Sequence, residues 1–295
     1  MCPVQGPDID ESGTPCIDWT ANGARSGLEG DTLVVFLAYA KFHVWWGTKL
    51  VVHENVPGFL VWMARVHLST FNVHPFTIRP KDSGFPLVER TRQYLLCTNF
   101  ITARLHHDPY ELFEYVTQRL QTNLTPADAV FAEPLEIRAE EEEEVCSMRG
   151  IALRPFCLPQ DLCYTLSEAE TRYVNALDVL YMVKTGQRPE SNKALVYSLT
   201  DNPVNRVSWT LTSNAIPTLR RNSGRLYFPS LKRCMTRSER LALMGFPSHP
   251  ELSQACGGDV PAMTRRQHNF LLGNSMHMPT ATLILTVGLA CVRPN

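Results

Sequence analysis

The stretch Lys49-Leu50-Val51-Val52-His53 reads as a buried strand, and it ends on a carboxylate and an amide, Glu54 and Asn55. Open α/β sheets bind their ligands just beyond the carboxyl ends of the strands, so these two residues stand where such a sheet places its chemistry. A second constraint lies upstream, in Gly13-Thr14-Pro15-Cys16-Ile17-Asp18-Trp19. Proline fixes φ and removes a donor. A cysteine directly after it, in a glycine-flanked turn ahead of an apolar helical run, is therefore held by a backbone with little freedom, which suits a nucleophile. Taken singly, a Pro-Cys dipeptide in a chain with nine cysteines is more often structural, and a glutamate after a strand more often pairs with an arginine. Cys16 and Glu54 can meet across one crevice if the turn and the strand share a sheet edge.

At 295 residues and 44% hydrophobic content, the chain can bury one large core or two smaller ones. A net charge of −1 gives no overall basic signature, so any contact with nucleic acid must come from local patches. The cysteines show no Cys-x-x-Cys pair and no histidine spacing of a zinc site, so no metal is expected. No signal peptide precedes them, and they read as reduced intracellular thiols. The longest apolar run, residues 280–292, is too short to span a membrane.

Residues 1–12 carry no strand signal of their own, and residues 22–31 form a glycine-rich polar loop. Thr32 to Trp46 is apolar nearly all round, which favours a buried helix. A helix is expected over residues 57–66, with proline in its first turn, followed by a β-rich stretch from Phe71 to Ile78. Residues 89–97 then put two arginines, Arg90 and Arg92, at the head of a strand. This alternation of strand and helix predicts a parallel α/β sheet.

From about residue 100 the character shifts. Residues 108–144 hold eleven acids against two bases, Arg119 and Arg138, and end in five consecutive glutamates. That run reads as a solvated, disordered loop. Residues 166–185 have a helical pattern, with Ser167 and Glu170 spaced as a capping box. Between Arg206 and Arg240 eight bases face one acid, Glu239. Interleaved with Trp209 and Tyr227, that stretch can neutralise phosphates, although an ordinary basic surface has the same composition.

The C-terminal third carries two further blocks. In Lys232-Arg233-Cys234-Met235-Thr236-Arg237-Ser238-Glu239, Thr236 or Ser238 is placed to cap the helix that Glu239 begins, and Gly245-Phe246-Pro247 follows. Leu272-Gly273-Asn274-Ser275-Met276 then precedes a last apolar helix. Taken in order, the Pro-Cys turn, Glu54-Asn55-Val56, Arg90-Thr91-Arg92 and these two blocks resemble the motifs of the C5-cytosine DNA methyltransferases. The resemblance spans roughly residues 13–97 and 206–290.

The resemblance implies an α/β fold, a partial S-adenosylmethionine-dependent methyltransferase (Rossmann-like) sheet with an inserted target-recognition region. Residues 1–100 would be the C-terminal half of the methyltransferase catalytic domain, and 101–205 the target-recognition insert with its acidic loop. Residues 206–260 would form a basic DNA-facing region, and 261–295 the returning C-terminal helix. It also implies a DNA (cytosine-5-)-methyltransferase that moves a methyl group from S-adenosylmethionine to cytosine C5 through a covalent Cys16 adduct. Cytosine C5 is a poor nucleophile until a thiolate adds at C6. By resemblance, Glu54 would hydrogen-bond the ring at N3, Asn55 would brace the Pro15-Cys16 turn, Arg92 would contact the base carbonyl, and Arg90 would order a loop or a phosphate. Pro15, Asn274 and Ser275 are the expected cofactor contacts. Arg206, Arg220, Arg221 and Arg225 are the expected DNA contacts, with the loop over residues 20–31 closing on a flipped cytosine. The location implied is the nucleus if the source is eukaryotic.

The chain also departs from the family. Members begin with a Phe-x-Gly-x-Gly turn and a later acid that hold S-adenosylmethionine, and neither occurs upstream of Cys16. Val88 stands where a glutamine usually precedes the two arginines. The chain by itself is therefore expected to bind the cofactor poorly, with a separate chain or missing segment supplying the first motifs. A second reading is a catalytically inactive remnant that binds DNA or a partner, and cofactor binding separates the two. A third is a papain-like thiol hydrolase using Cys16 with a histidine such as His53.

Overall fold

The computed structural model describes residues 6–20, 26–158, 161–220, 224–257 and 263–295. It divides into two units, one made of Met1–Gly84, Thr91–Gln121 and Met278–Asn295, the other of Phe85–Arg90 and Thr122–His277. Arg221 and residues 21–25 lie outside the described residues.

The first unit begins with β1 (Ile9–Gly13), α1 (Thr32–Trp46), β2 (Leu50–Asn55), α2 (Val61–His67), β3 (Phe71–Ile78), β4 (Arg92–Asn99), β5 (Ala103–Leu105) and α3 (Pro109–Thr117). Four strands form one sheet in the order β1-β2-β4-β3. β1 runs parallel to β2, while β4 is antiparallel to both β2 and β3. The expected parallel sheet is thus corrected to a mixed one. A parallel neighbour needs a crossover, usually a helix, and only a single 3-10 turn, Pro80–Ser83, lies between β3 and β4.

β1 itself corrects the reading of residues 1–12 as strandless. Its alternate residues Asp10 and Ser12 are polar, so no apolar period marks it. Their partners come from α1 instead of water. The Tyr39 hydroxyl donates to Asp10 Oδ2 at 3.0 Å, the Ser12 hydroxyl donates to the same oxygen at 2.6 Å, and His43 Nε2 lies 3.5 Å from it. Burial alone would raise the Asp10 carboxyl, but hydrogen bonds from His43, Ser12 and Tyr39 outweigh it and hold the group below its ordinary value.

α1 spans the residues expected, but it is buried on one side only. Phe36 and Ala40 enter a core with Val51, Phe59, Met63, Leu95 and Cys97, whereas Val34 and Trp45 are 69% and 78% exposed. α2 begins at Val61, four residues later than expected, because Pro57 and Gly58 form the turn that leaves β2.

In the second unit come α4 (Pro134–Ile137), a π-helical turn (Arg138–Glu143), α5 (Glu144–Arg149), α6 (Glu168–Thr185), β6 (Tyr197–Ser198), β7 (Leu226–Phe228), β8 (Arg233–Cys234), α7 (Arg237–Ala242), α8 (Pro250–Cys256) and α9 (Arg265–Asn274). β6, β7 and β8 make a small antiparallel sheet. Ser167 and Glu170 cap α6, and Thr236 and Glu239 cap α7, both as reciprocal boxes. Trp209 and Tyr227 are buried in the core beside α6 and are not part of an exposed basic face.

The glutamate run is ordered and not a solvated loop, and its partners explain the difference. Glu141 meets Arg225 at 2.7 Å, Glu140 meets Arg237 at 3.1 Å, and Glu142 pairs with Arg138. Charges that repel along the chain are neutralised by arginines brought from up to 124 positions away.

The chain then re-enters the first unit as α10 (Met278–Cys291) and β9 (Val292–Pro294), which pairs with β5. α10 packs with α3 through Leu283, Val287 and Cys291 against Leu112, Phe113 and Val116. Gly288 lets it approach the sheet, since a Cβ there would lie 2.7 Å from Leu96 Cδ1 and 3.1 Å from Leu50 Cδ2. Among the described residues, no helix is long and apolar enough to cross a membrane.

Candidate active site

β1 and β2 run parallel with Gly13 level with Glu54, so their carboxyl ends open on the same edge of the sheet. The chain leaves β1 there into Thr14-Pro15-Cys16. The amides of Trp19 and Thr20 both donate to the Cys16 carbonyl at 3.0 Å, closing a tight turn, and the Cys16 side chain is half-buried against the core of α1 and α2. Asp18 fastens this turn to α1. Its carboxylate accepts the Thr32 amide at 3.0 Å and the Thr32 hydroxyl at 2.6 Å, and those bonds hold it below its ordinary value.

Thr14 joins the turn to β2. Its hydroxyl lies 2.9 Å from His53 Nε2 and accepts from Asn55 Nδ2 at 3.3 Å, while the same amide donates to the Thr14 carbonyl at 3.4 Å. Asn55 Oδ1 in turn accepts the Val56 N–H at 2.9 Å. Asn55 thus ties the end of β2 to Thr14, the residue before Pro15. His53 is fully buried, and burial lowers it to about 3. A ring that gains its proton only there is a poor base at neutral pH, and its Nε2 is committed to Thr14. Both facts count against His53 as the base of the papain-like alternative.

β4 runs antiparallel to β2, which brings its first residue to this same edge. Arg92 Nε lies 2.9 Å from Glu54 Oε1, and its Nη1 donates to the Thr91 carbonyl at 2.8 Å. Cys16, Glu54, Asn55 and Arg92 are thus gathered at one edge of one sheet. Three supporting residues escaped the sequence reading: Thr14, Asp18 and Gly58. A Cβ on Gly58 would lie 2.5 Å from the Trp19 carbonyl oxygen, so the loop after β2 rests on the cysteine turn. Their positions were the only available signal, since Thr14 and Asp18 flank Pro15-Cys16 and Gly58 follows Asn55 closely.

Apart from Pro15, the other residues singled out from the sequence belong to the second unit. The Arg90 guanidinium is buried and donates to the carbonyls of Ser275 at 2.6 Å and Leu219 at 3.3 Å. It therefore orders the backbone around Gly273-Asn274-Ser275. Asn274 is exposed and donates to the Phe270 carbonyl, while the Ser275 hydroxyl is buried with no hydrogen-bond partner among the described residues. Arg206 is exposed, and Arg220 meets Asp201 at 2.7 Å. Arg225 corrects the expectation of a DNA contact: it is buried, with its guanidinium on Glu141 and the Thr165 hydroxyl.

A buried hydroxyl without a partner fits a polar ligand group, so Ser275, with the exposed amide of Asn274, suits the polar end of S-adenosylmethionine. Pro15 is exposed just past the end of β1, where an open sheet takes its ligand. Among the described residues, no group of three or more His, Cys, Asp or Glu side chains could hold a metal ion.

No family model matches the chain, and no curated protein matches it in sequence. Solved structures do match in fold. Over 96% of its length the chain aligns with a prophage-encoded E. coli protein assigned as a DNA modification methyltransferase, covering 78% of that chain at 18% identity and a TM-score of 0.55. Over 95% it aligns with the S. pombe Dnmt2 methyltransferase, covering 76% of that chain at 14% identity and a TM-score of 0.51. The chain has an α/β fold with a mixed sheet, matching the fold of these two solved methyltransferases.

Proposed function

We propose that this chain acts on cytosine in DNA as a C5-methyltransferase of the Cys16-adduct type. The observation that carries the reading is the gathering of Cys16, Glu54, Asn55 and Arg92 at the carboxyl edge of β1 and β2. The Cys16 sulfur adds to C6 of a flipped cytosine, which makes C5 nucleophilic. Glu54 hydrogen-bonds the ring at N3, and Arg92 fixes the orientation of Glu54 while its remaining nitrogen, Nη2, faces the base carbonyl. Asn55 and Thr14 keep the turn from relaxing away from the base. S-Adenosylmethionine, when bound, would supply the methyl group, and Pro15 lies at the strand end of the first unit where it would be held.

The open edge of β1 and the exposed apolar side of α1 suit a further segment or partner chain that completes the cofactor site. Among the described residues β1 pairs on one side only, and Val34 and Trp45 present apolar surface on α1. Residues 206–220 supply the exposed Arg206 and the half-exposed Arg220, itself paired with Asp201, for the phosphate backbone, with Arg221 next to Arg220 in sequence.

The test uses a duplex oligonucleotide carrying 2-pyrimidinone at one position, a base that accepts a thiolate at C6 without cofactor. A denaturant-stable adduct that disappears in Cys16→Ser is the expected result. Binding of the duplex with no adduct would leave the inactive DNA-binding remnant as the correct reading.

A further inference from the structure

The second unit contains two kinds of arginine–glutamate contact. Arg225 with Glu141 and Arg233 with Glu239 are sealed, with side chains at most 8% exposed. Arg237 and Arg265 differ, at 26% and 24%. Arg237 Nε lies 3.1 Å from Glu140 Oε1 and its Nη1 lies 3.0 Å from Glu144 Oε2, while its backbone N–H donates to Glu140 Oε2 at 2.7 Å. Arg265 Nε meets the other oxygen of Glu144 at 3.3 Å, and its Nη2 donates to the Glu140 carbonyl at 3.1 Å. One carboxylate, that of Glu144, therefore spans two guanidinium groups from separate helices, as a bridging phosphate would.

The surroundings stay short of acceptors even with the glutamates in place. Arg240 is buried on α7, and its Nε and Nη2 have no hydrogen-bond partner among the described residues. Burial lowers it to about 10, Glu141 opposes that shift and Arg265 reinforces it. His268, also buried, is lowered to about 4 by burial and then by Arg240 and Arg237. Arg240 thus stands beside the glutamates with two guanidinium nitrogens that no acceptor among the described residues meets.

We propose that Arg237 and Arg265 form a phosphodiester-binding site, occupied in the free protein by Glu140 and Glu144, from which a nucleic-acid backbone displaces them. The proposal rests on the nucleic-acid reading given above. Tethered carboxylates act at an effective concentration in the ~mM range, so they weaken phosphate binding without abolishing it. The glutamate run thereby sets a threshold. Isolated phosphates fail to compete, whereas a backbone that engages Arg206 and Arg220 at the same time succeeds.

The experiment measures binding of a fluorescent duplex to the full chain and to Glu140→Gln/Glu144→Gln across a salt series. The expected outcome is roughly tenfold tighter binding by the variant near 0.1 M salt, with the log–log salt slope steeper by about two phosphates. Adding Arg237→Gln and Arg265→Gln to that variant should return the parent's affinity. Equal affinity and slope for parent and variant would overturn the masking while leaving DNA binding intact. Absence of binding by both would remove the nucleic-acid reading and the proposal with it. If the variant does not fold, hydrogen exchange on the unsubstituted chain decides instead. Adding duplex should deprotect residues 138–149 and the Arg237 amide, and unchanged protection in the bound state would overturn the proposal.

Discussion

Asn55 at the end of β2 donates its amide to both the carbonyl and the hydroxyl of Thr14, 41 positions earlier. Through that bond the strand carrying Glu54 and the turn carrying Cys16 form one rigid edge. Asn55→Ala removes these donors and the acceptor of the Val56 amide. A loss of about 1–3 kcal/mol is expected, together with faster labelling of Cys16 by a thiol reagent. Urea titration and the labelling rate check the two effects separately.

Glu54 and Arg92 are both largely removed from water, so breaking their pair leaves a poorly solvated charge. Arg92→Leu should cost about 2 kcal/mol or more, whereas the double change Arg92→Leu/Glu54→Leu should recover part of that loss. A double-mutant cycle in denaturant measures it, and strict additivity would mean that the 2.9 Å contact contributes nothing.

Gly58 sits where any side chain would meet backbone, 2.5 Å from the Trp19 carbonyl oxygen. Gly58→Ala must displace either the loop after β2 or the cysteine turn, at an expected cost of about 1–3 kcal/mol. The Cys16 adduct with a 2-pyrimidinone duplex should form more slowly in this variant, at concentrations where binding is unchanged.

Three buried histidines set the acid limit. Burial lowers His53 and His277 to about 3 and His268 to about 4. In the unfolded chain each titrates near 6.5. Below about pH 6.5 the unfolded state therefore takes up protons that the native state refuses, and stability falls as the pH drops toward 4. Glu11 acts in the opposite sense. Burial, then the charge of Asp10, raises it to about 7, so from pH 7 down to 4.5 the native state holds a proton that the unfolded state lacks. Three groups outweigh one, and a net uptake of about two protons on unfolding is expected at pH 5. Potentiometry across the unfolding transition measures it, and His53→Phe should reduce the uptake by about one.

Local sequence was enough to specify the parts of this protein whose stabilising partners are near in the chain. β2 is marked by Leu50-Val51-Val52, α6 and α7 by the Ser167/Glu170 and Thr236/Glu239 boxes, and the rigid cysteine turn by Pro15. Each depends on residues within a turn or two of itself, so pattern and propensity suffice. Tertiary structure alone decided the rest. β1 is a strand because Tyr39 and His43 satisfy Asp10 and Ser12, and no periodicity within residues 9–13 records partners some thirty positions away. The glutamate run and the basic stretch each looked solvent-facing, since like charges repel along a chain. They are buried in part because Arg225, Arg237 and Arg265 return to Glu140, Glu141 and Glu144, and only the folded path brings those opposite charges together.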